Sequence, residues 1–141
     1  MFAELLNIFF PPVCPVCEDA VADGLFCKAC TEGLYSQKIL GPICDVCGVP
    51  FVSASSPDHT CGVCLVQKTP FVSFRSALVY NGAVVEAIHS FKYGGKVILG
   101  RPLGLLLAES INLPITPGLV MPVPLHKKRL RMRGFNQSLL L

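Results

Sequence analysis

The eight cysteines are the residues of this 141-residue chain whose chemistry is easiest to interpret. All of them occur in pairs separated by two residues. The pairs are Cys14/Cys17, Cys27/Cys30, Cys44/Cys47 and Cys61/Cys64. A gap of two residues lets both thiolates of a pair reach one ion from a tight turn, and two such turns complete a tetrahedral Cys₄ site. The pattern therefore predicts two zinc ions, each bound by four thiolates, that hold the fold together.

Two other uses of paired cysteines fit this sequence less well. A disulfide framework needs an oxidising compartment, and the N-terminus has neither the basic segment nor the cleavage site of a secretory signal. A thioredoxin-like redox centre needs one motif at the start of a helix, not four in series. No apolar run reaches the roughly 18 to 20 residues of a membrane-spanning helix. We therefore expect a soluble, cytoplasmic protein.

The assignment of cysteine pairs to the two ions is a separate question. Sequential pairing joins the first pair with the second and the third with the fourth, and we prefer it because each site then closes a short loop. A cross-brace, which joins the first pair with the third and the second with the fourth, is also compatible with the spacing. His59 lies near Cys61 but is surplus to a complete ligand set, so we expect it to be a loop residue.

The charges are divided unevenly along the chain. Residues 1–64 contain two basic and seven acidic residues, whereas residues 65–141 contain ten basic and two acidic residues. Two Cys₄ sites of net charge −2 would change the formal net charge from +3 to about −1. With 52% hydrophobic and only 15% charged residues, the composition excludes a disordered protein.

A dense basic segment lies near the C-terminus. It holds five positive charges in seven residues without an acid, namely Lys127, Lys128, Arg129, Arg131 and Arg133. Such a run is either a solvated loop or a site for phosphate oxygens, which Arg and Lys bind well. Lys92, at the end of a predicted helix, either faces phosphate as well or complements the helix dipole. Phe135, next to the run, is either a base-stacking residue or the first core residue of a helix.

The remaining pattern predicts an α/β arrangement after the cysteine-rich segment. The predicted elements, in chain order, are a helix over 2–9, a strand over 74–80, helices over 84–93 and 99–112, a buried strand over 118–124, and the start of a helix at 139–141. Strands that alternate with helices are typical of a parallel sheet.

Together these features resemble the ComF family of phosphoribosyltransferase-like proteins. The resemblance rests on the two cysteine-rich ribbons, on residues 91–94 (Phe-Lys-Tyr-Gly), and on the block 122–137, which includes Arg-Gly-Phe-Asn-Gln. It implies tandem zinc ribbons with a short N-terminal helix over 1–66 and the first part of a type I phosphoribosyltransferase-like α/β domain over 67–141. It also implies a role in natural competence, with single-stranded DNA and DNA-uptake proteins as partners.

The same resemblance implies a ligand-binding loop. The residues it assigns to that loop are Arg129, Arg133, Gly134 and Asn136. In the family's fold a later strand ends in two acidic residues and a Thr/Gly-rich loop, which together bind phosphoribosyl pyrophosphate (PRPP). This sequence stops at Leu141 before such a loop, so we expect no catalysis by this chain alone.

Two alternative functions remain open from the sequence. The chain is either the N-terminal part of a phosphoribosyltransferase, with Mg²⁺ and PRPP used only by a full-length relative, or a zinc-ribbon adaptor for protein interaction. The sequence does not indicate a nucleobase or other acceptor, or an oligomeric state.

Overall fold

The computed structural model of the chain describes residues 11–22, 24–53, 56–110 and 118–141. These residues form α-helices joined by turns and extended segments, with little strand. The helices are α1 (Lys28–Tyr35), α2 (Gly62–Val66), α3 (Ala83–Lys92), α4 (Gly100–Ser110), α5 (Lys127–Arg133) and α6 (Gln137–Leu140), with a 3₁₀ turn over Val97–Leu99. The helix predicted over 2–9 lies outside the described residues. No helix in the described part is long and apolar enough to cross a bilayer.

The cysteine-rich segment contains the same local structure twice. Each first cysteine pair lies in a tight hairpin closed by a single antiparallel bridge, Val13↔Ala20 in one case and Ile43↔Pro50 in the other. Equivalent hydrogen bonds close both turns, since the N–H of Cys14 donates to Asp19 O at 2.8 Å and that of Cys44 to Val49 O at 2.9 Å. These turns are the knuckles that direct two thiols toward one point.

Each second cysteine pair lies at the start of a helix. Cys27 is the N-cap of α1, and its thiol accepts a hydrogen bond from the N–H of Cys30 at 3.4 Å. Cys61 is likewise the N-cap of α2. The N-cap and the third helical residue are three positions apart and lie on one side of a helix, so both thiols of the pair face the knuckle.

The hydrophobic core joins the first ribbon to the helices that follow. Leu34 of α1 and Phe91 of α3 are both almost fully buried in one cluster. The ribbon side contributes Cys14, Val16, Val21, Cys30 and Leu34, and the other side contributes Val84, Ala87, Phe91, Leu99, Leu103 and Leu106. These contacts cross the predicted domain boundary at residue 66, and the division into two domains stays a prediction.

The two helices predicted after the ribbons are present. α3 matches the prediction for 84–93 to within one residue at each end. α4 covers most of the range predicted as 99–112, whose last two residues lie outside the described part. Leu103 and Leu106 of α4 are buried in the core. Gly95, with φ +67°, lies in the turn after α3, a conformation that glycine adopts without strain.

The two predicted strands are wrong. Segment 74–80 forms only one isolated bridge, between Leu78 and Lys38. Segment 118–124 contains no strand and is largely exposed, with Val120 at 94%. A ladder needs a partner with free N–H and C=O groups beside it, and the described residues supply such a partner to only one edge of 74–80. The predicted parallel sheet is therefore absent from the described part of the chain.

The basic run is also organised differently from the predicted loop. It forms α5, which begins after His126, whose ring accepts a hydrogen bond from the N–H of Lys128. The helix ends at Gly134, which adopts a left-handed conformation with φ +78°.

Replacing Gly48 by alanine tests how the second knuckle is built. Gly48 has φ +68°, and a Cβ there would lie 2.5 Å from Phe74 O. We expect Gly48→Ala to lower the free energy of unfolding by about 2 kcal/mol or more, because a left-handed L-residue alone costs about 1–2 kcal/mol. Gly41→Ala is the control, since a Cβ there meets nothing within 4 Å. Equal thermal denaturation midpoints for both variants would contradict this account.

Candidate metal centres and a basic cleft

Both groups of four cysteines have the geometry of a metal site. Within each cluster, the four sulfur atoms all lie within 4.8 Å of one another. The first cluster consists of Cys14, Cys17, Cys27 and Cys30, and the second cluster of Cys44, Cys47, Cys61 and Cys64. Neighbouring sulfurs are 3.5 Å apart between Cys17 and Cys27 and 3.8 Å apart between Cys47 and Cys61. Tetrahedral Zn–S bonds of 2.3 Å place the sulfurs roughly 3.8 Å from one another. Both clusters therefore fit a zinc ion.

The clusters follow the sequential pairing rather than the cross-brace. His59 belongs to neither cluster. Its ring stacks on Phe51 with centroids 3.9 Å apart, and its Nδ1 lies 3.0 Å from Pro57 O. His59 is therefore a packed loop residue, as the sequence predicted.

Backbone N–H groups stabilise one thiolate in each cluster. Burial raises the pKa of the Cys14 thiol, but nearby backbone N–H groups, chiefly those of Cys17 and Cys27, lower that pKa to about 6 overall. Burial likewise raises the pKa of Cys44, and the N–H groups of Cys61 and Cys47 lower it to about 6 overall. The N–H of Cys61 donates to the Cys44 sulfur at 3.3 Å. Each knuckle thus holds its first sulfur as a good metal ligand.

The pKa of the last thiol of each cluster is raised instead of lowered. Burial raises the pKa of Cys30, and its three neighbouring thiols raise it further. The same causes raise the pKa of Cys64 to about 12. Four sulfurs this close ionise together only when a cation balances them, which is the condition that Zn²⁺ satisfies. Four thiolates complete the tetrahedral shell, so zinc would supply a structural cross-link with no open position.

The two clusters differ in their surroundings. Cys14 and Cys30 of the first cluster are buried in the core shared with α3. In the second cluster Cys44 is buried, but the other three cysteines are partly exposed and none of the four belongs to that core. The second knuckle is attached to the following chain by the N–H of Phe74, which donates to Val46 O at 2.7 Å. The first cluster is therefore central to the fold and the second is peripheral.

Glu18 ties the first knuckle to the turn that follows α3. It is the one described non-glycine residue with positive φ, at 66°, and its place after the cysteine pair corresponds to Gly48 in the second knuckle. Its carboxylate lies 2.7 Å from the ammonium group of Lys96, and that hydrogen bond and charge lower the Glu18 pKa. Lys96 follows Gly95, so the ion pair fixes this turn relative to the first ribbon.

A cleft of about 420 Å³ lies beside this turn. We call it the basic cleft, and its lining residues are Lys92, Tyr93, Gly95, Arg129, Met132 and Arg133. The guanidinium of Arg133 lies over the Tyr93 ring, 4.8 Å from its centroid, and donates to Gln137 Oε1 at 3.2 Å. No carboxylate is among the described residues that line it. The cleft therefore presents three cations and one aromatic ring to a ligand.

The other predicted anion-binding residues lie outside this lining. Lys127, Lys128 and Arg131 are exposed on α5, and no ion pair of the described residues involves them. Gly134 ends α5. The side chain of Asn136 caps α6 through Ser138 N–H and donates to Val123 O at 3.1 Å. Both of its polar atoms are thus engaged in local structure.

Sequence reasoning did not identify Gly95 and Met132 as cleft residues. The Gly94-Gly95 pair signals a turn but not which side chains the turn meets, and Met132 lies among charges that dominate the pattern. Phe135 packs against Phe91, with ring centroids 5.5 Å apart. This contact supports its interpretation as a core residue and not as a base-stacking one.

The difference between the clusters predicts different results for matched substitutions. Cys14→Ser and Cys44→Ser each remove a buried sulfur from an equivalent knuckle position, so each protein should retain one zinc ion. We expect Cys14→Ser to lower the free energy of unfolding by about 3 kcal/mol or more and to increase amide exchange throughout α3, because structural zinc contributes about 10–16 kcal/mol in small zinc domains. Cys44→Ser should confine faster exchange to the second ribbon. Metal content and hydrogen exchange measure both effects, and an equal loss of α3 protection would contradict the distinction.

Comparison with known proteins agrees with this geometry. A family model described as a double zinc ribbon domain matches residues 5–65. The DNA utilization protein YhgH of Escherichia coli strain K12 is 32% identical over 139 residues, which cover 93% of this chain and 59% of the relative. The competence protein ComFC of Bacillus subtilis strain 168 is 32% identical over 127 residues, which cover 84% of this chain and 50% of the relative. No solved structure gives a significant match.

The chain spans about three fifths of the length of YhgH and half that of ComFC. The similarity extends from the ribbons through most of the rest of the chain, including segments without cysteines. The ribbons and this similarity together show that the chain is homologous to YhgH and ComFC, proteins of the ComF family.

Proposed function

We propose that this chain is a zinc-binding protein that binds single-stranded DNA through the basic cleft, in a process of DNA uptake or utilization. The observation that carries the proposal is the lining of the cleft by Lys92, Arg129 and Arg133 around an exposed tyrosine, without a carboxylate. The printed names of the relatives, DNA utilization protein and competence protein, support the same class of ligand.

Electrostatics favour a phosphate backbone as the ligand. The three cations of the cleft continue into the exposed charges of α5, so positive charge extends beyond one pocket. A chain of phosphates neutralises such a surface and releases counterions, which makes binding depend strongly on salt. Arg129 and Arg133 are suited to bidentate contacts with phosphate oxygens.

Tyr93 favours a single strand over a duplex. Its side chain is 68% exposed, and Arg133 over the ring and His89 at 5.4 Å hold its orientation. Single-stranded DNA offers unpaired bases that stack on such rings, whereas duplex bases are already stacked on each other. A cationic cleft with a fixed aromatic ring is the usual composition of a single-strand site.

The zinc ions in this proposal act as structural cross-links. The first cluster shares its core with Phe91, and Phe91 precedes Lys92 of the cleft. Metal binding there would therefore hold the cleft in shape without contacting DNA.

A phosphoribosyltransferase activity is the second candidate, which the resemblance of block 122–137 favours. The same cations would bind a pyrophosphate. The ribose hydroxyls of PRPP would additionally need carboxylates, and none of the described residues that line the cleft supplies one. A binding experiment with free pyrophosphate separates this candidate from the first.

The charge contribution can be measured with two matched double variants. Lys92→Gln with Arg129→Gln removes two exposed cations of the cleft, whereas Lys68→Gln with Arg101→Gln removes two exposed cations outside it. We expect the cleft variant to bind oligothymidine about tenfold more weakly at about 50 mM salt and to reduce the slope of log K against log salt by about 1.4, since each single-strand phosphate contributes about 0.7.

The control variant should retain the wild-type slope. Equal slopes for the cleft and control variants would contradict the proposal. Displacement of the oligonucleotide by magnesium pyrophosphate at equimolar phosphate would instead favour the phosphoribosyltransferase candidate.

The stacking contribution is tested at Tyr93. Tyr93→Ala should weaken oligothymidine binding by about 1–3 kcal/mol, the range measured for base stacking on aromatic residues, and Tyr93→Phe should restore most of it. Tyr35→Ala is the control, because Tyr35 is also exposed but lies on α1, outside the cleft. Fluorescence anisotropy of a labelled oligonucleotide measures all three. A Tyr93→Phe variant as weak as Tyr93→Ala would rule out stacking as the role of the ring.

A further inference from the structure

A second surface, which shares Lys92 with the basic cleft, combines an open backbone edge at one isolated β-bridge with an apolar groove. The segment around Leu78 is paired on one side only: the N–H of Ile39 donates to Ala77 O, and the N–H of Val79 donates to Gln37 O. In this antiparallel pattern the N–H and C=O of the intervening residue point to the opposite edge. No described residue bonds to either group of Leu78.

The open edge borders a groove of about 380 Å³. The groove is also lined by Ile88 of α3 and by Leu103 and Leu107 of α4. Leu78 itself lines the groove and packs against the core. Apolar side chains that point from an added strand toward the core would therefore find a matching wall.

Gln137 leaves one buried amide group beside the groove without a hydrogen-bond partner. Its side chain lines the groove and is 7% exposed, yet its Nε2 has no hydrogen-bond partner. Its Oε1 accepts from Arg133, and an arginine only donates, so the orientation of the amide is fixed. Because the Nε2 atom itself is fully buried, a peptide carbonyl in the groove would reach it only after the Gln137 side chain rotates.

The charges at the groove restrict the ligand further. Arg75 and Lys92 line it, and no carboxylate is among the described lining residues. Arg75 already donates to Asp45 O and Phe74 O, whereas the ammonium group of Lys92 is exposed. An acidic side chain in the ligand would complement Lys92.

We propose that this groove binds an extended polypeptide segment of a partner protein by strand addition along residues 76–80, with alternate apolar side chains and an acidic residue near Lys92. An extended peptide alone presents N–H and C=O groups at the spacing of the Leu78 edge, with side chains alternating toward the apolar wall. Five residues of strand span about 17 Å. Among the lining residues, this surface shares Lys92 with the proposed DNA site.

A library of short random peptides displayed on phage, selected on the full zinc-loaded chain, provides the probe. We expect enrichment of alternating apolar residues with Asp or Glu. A synthetic peptide of the enriched sequence should slow exchange of the Leu78 amide by about tenfold or more, because that N–H is otherwise unpaired.

A matched pair on α4 provides the control. Leu107→Lys places a charge on the groove wall and should weaken peptide binding by about tenfold or more, whereas Leu105→Lys, on the exposed side of the same helix, should leave it within about twofold. Both lysine variants are checked for an unchanged circular dichroism spectrum.

Three results would overturn the proposal. The first is a selection in which no alternating apolar pattern is enriched. The second is an exchange rate of the Leu78 amide that the peptide does not change. The third is self-association that Leu107→Lys abolishes and Leu105→Lys retains, which would assign the groove to a second copy of the chain.

Discussion

The burial of the first Cys₄ cluster in a shared core is the constraint on which the described structure depends. Cys14 and Cys30 pack in the same cluster as Ala87 and Phe91 of α3. Cys14 and Cys30 belong both to the metal-ligand cluster and to the hydrophobic core. Moving these thiols apart would therefore also separate the ribbon from the helices. A metal that closes this cluster therefore fixes the position of α3 and, through Phe91 and Phe135, that of the segment after α5. The basic cleft lies between α3 and α5, so its shape follows from a metal site that does not contact it.

The second ribbon repeats the local chemistry of the first without its tertiary role. Both knuckles lower the pKa of their first cysteine to about 6 through backbone N–H groups. The two knuckles differ at the residue that directly follows the cysteine pair, which has a positive φ in both. Glu18 in the first knuckle accepts a left-handed backbone and forms an ion pair with Lys96, whereas Gly48 in the second lets Phe74 O approach closely. One local unit is thus attached to the rest of the chain in two ways, by a charge in the first knuckle and by a close backbone approach in the second.

Features determined within a short stretch of sequence were predictable, and features that need distant partners were not. The paired spacing predicted the two clusters, and the apolar period of 84–91 predicted α3, because both patterns act within one element. Segments 74–80 and 118–124 have residues typical of strands, but a ladder needs a neighbour that the pattern does not specify. The sequence left the basic run open between a solvated loop and a phosphate site, and its two helix-end signals, the His126 cap and the Gly134 stop, were not identified there. The meeting of Lys92 with Arg129 and Arg133 depends on packing between distant helices and has no local signal.

The distribution of charge explains why two surfaces of different chemistry coexist on so short a chain. Acidic residues are concentrated in the ribbons, and two of the ion pairs of the described residues, Lys96 with Glu18 and Lys38 with Glu109, bridge the ribbon segment to the helices that follow it. No ion pair of the described residues involves a cation of α5, so these cations remain available. Lys92 lies at the border between the basic cleft and the apolar groove and lines both surfaces. Because Lys92 lines both surfaces, the two proposed ligands, single-stranded DNA and an acidic peptide, would compete for one ammonium group.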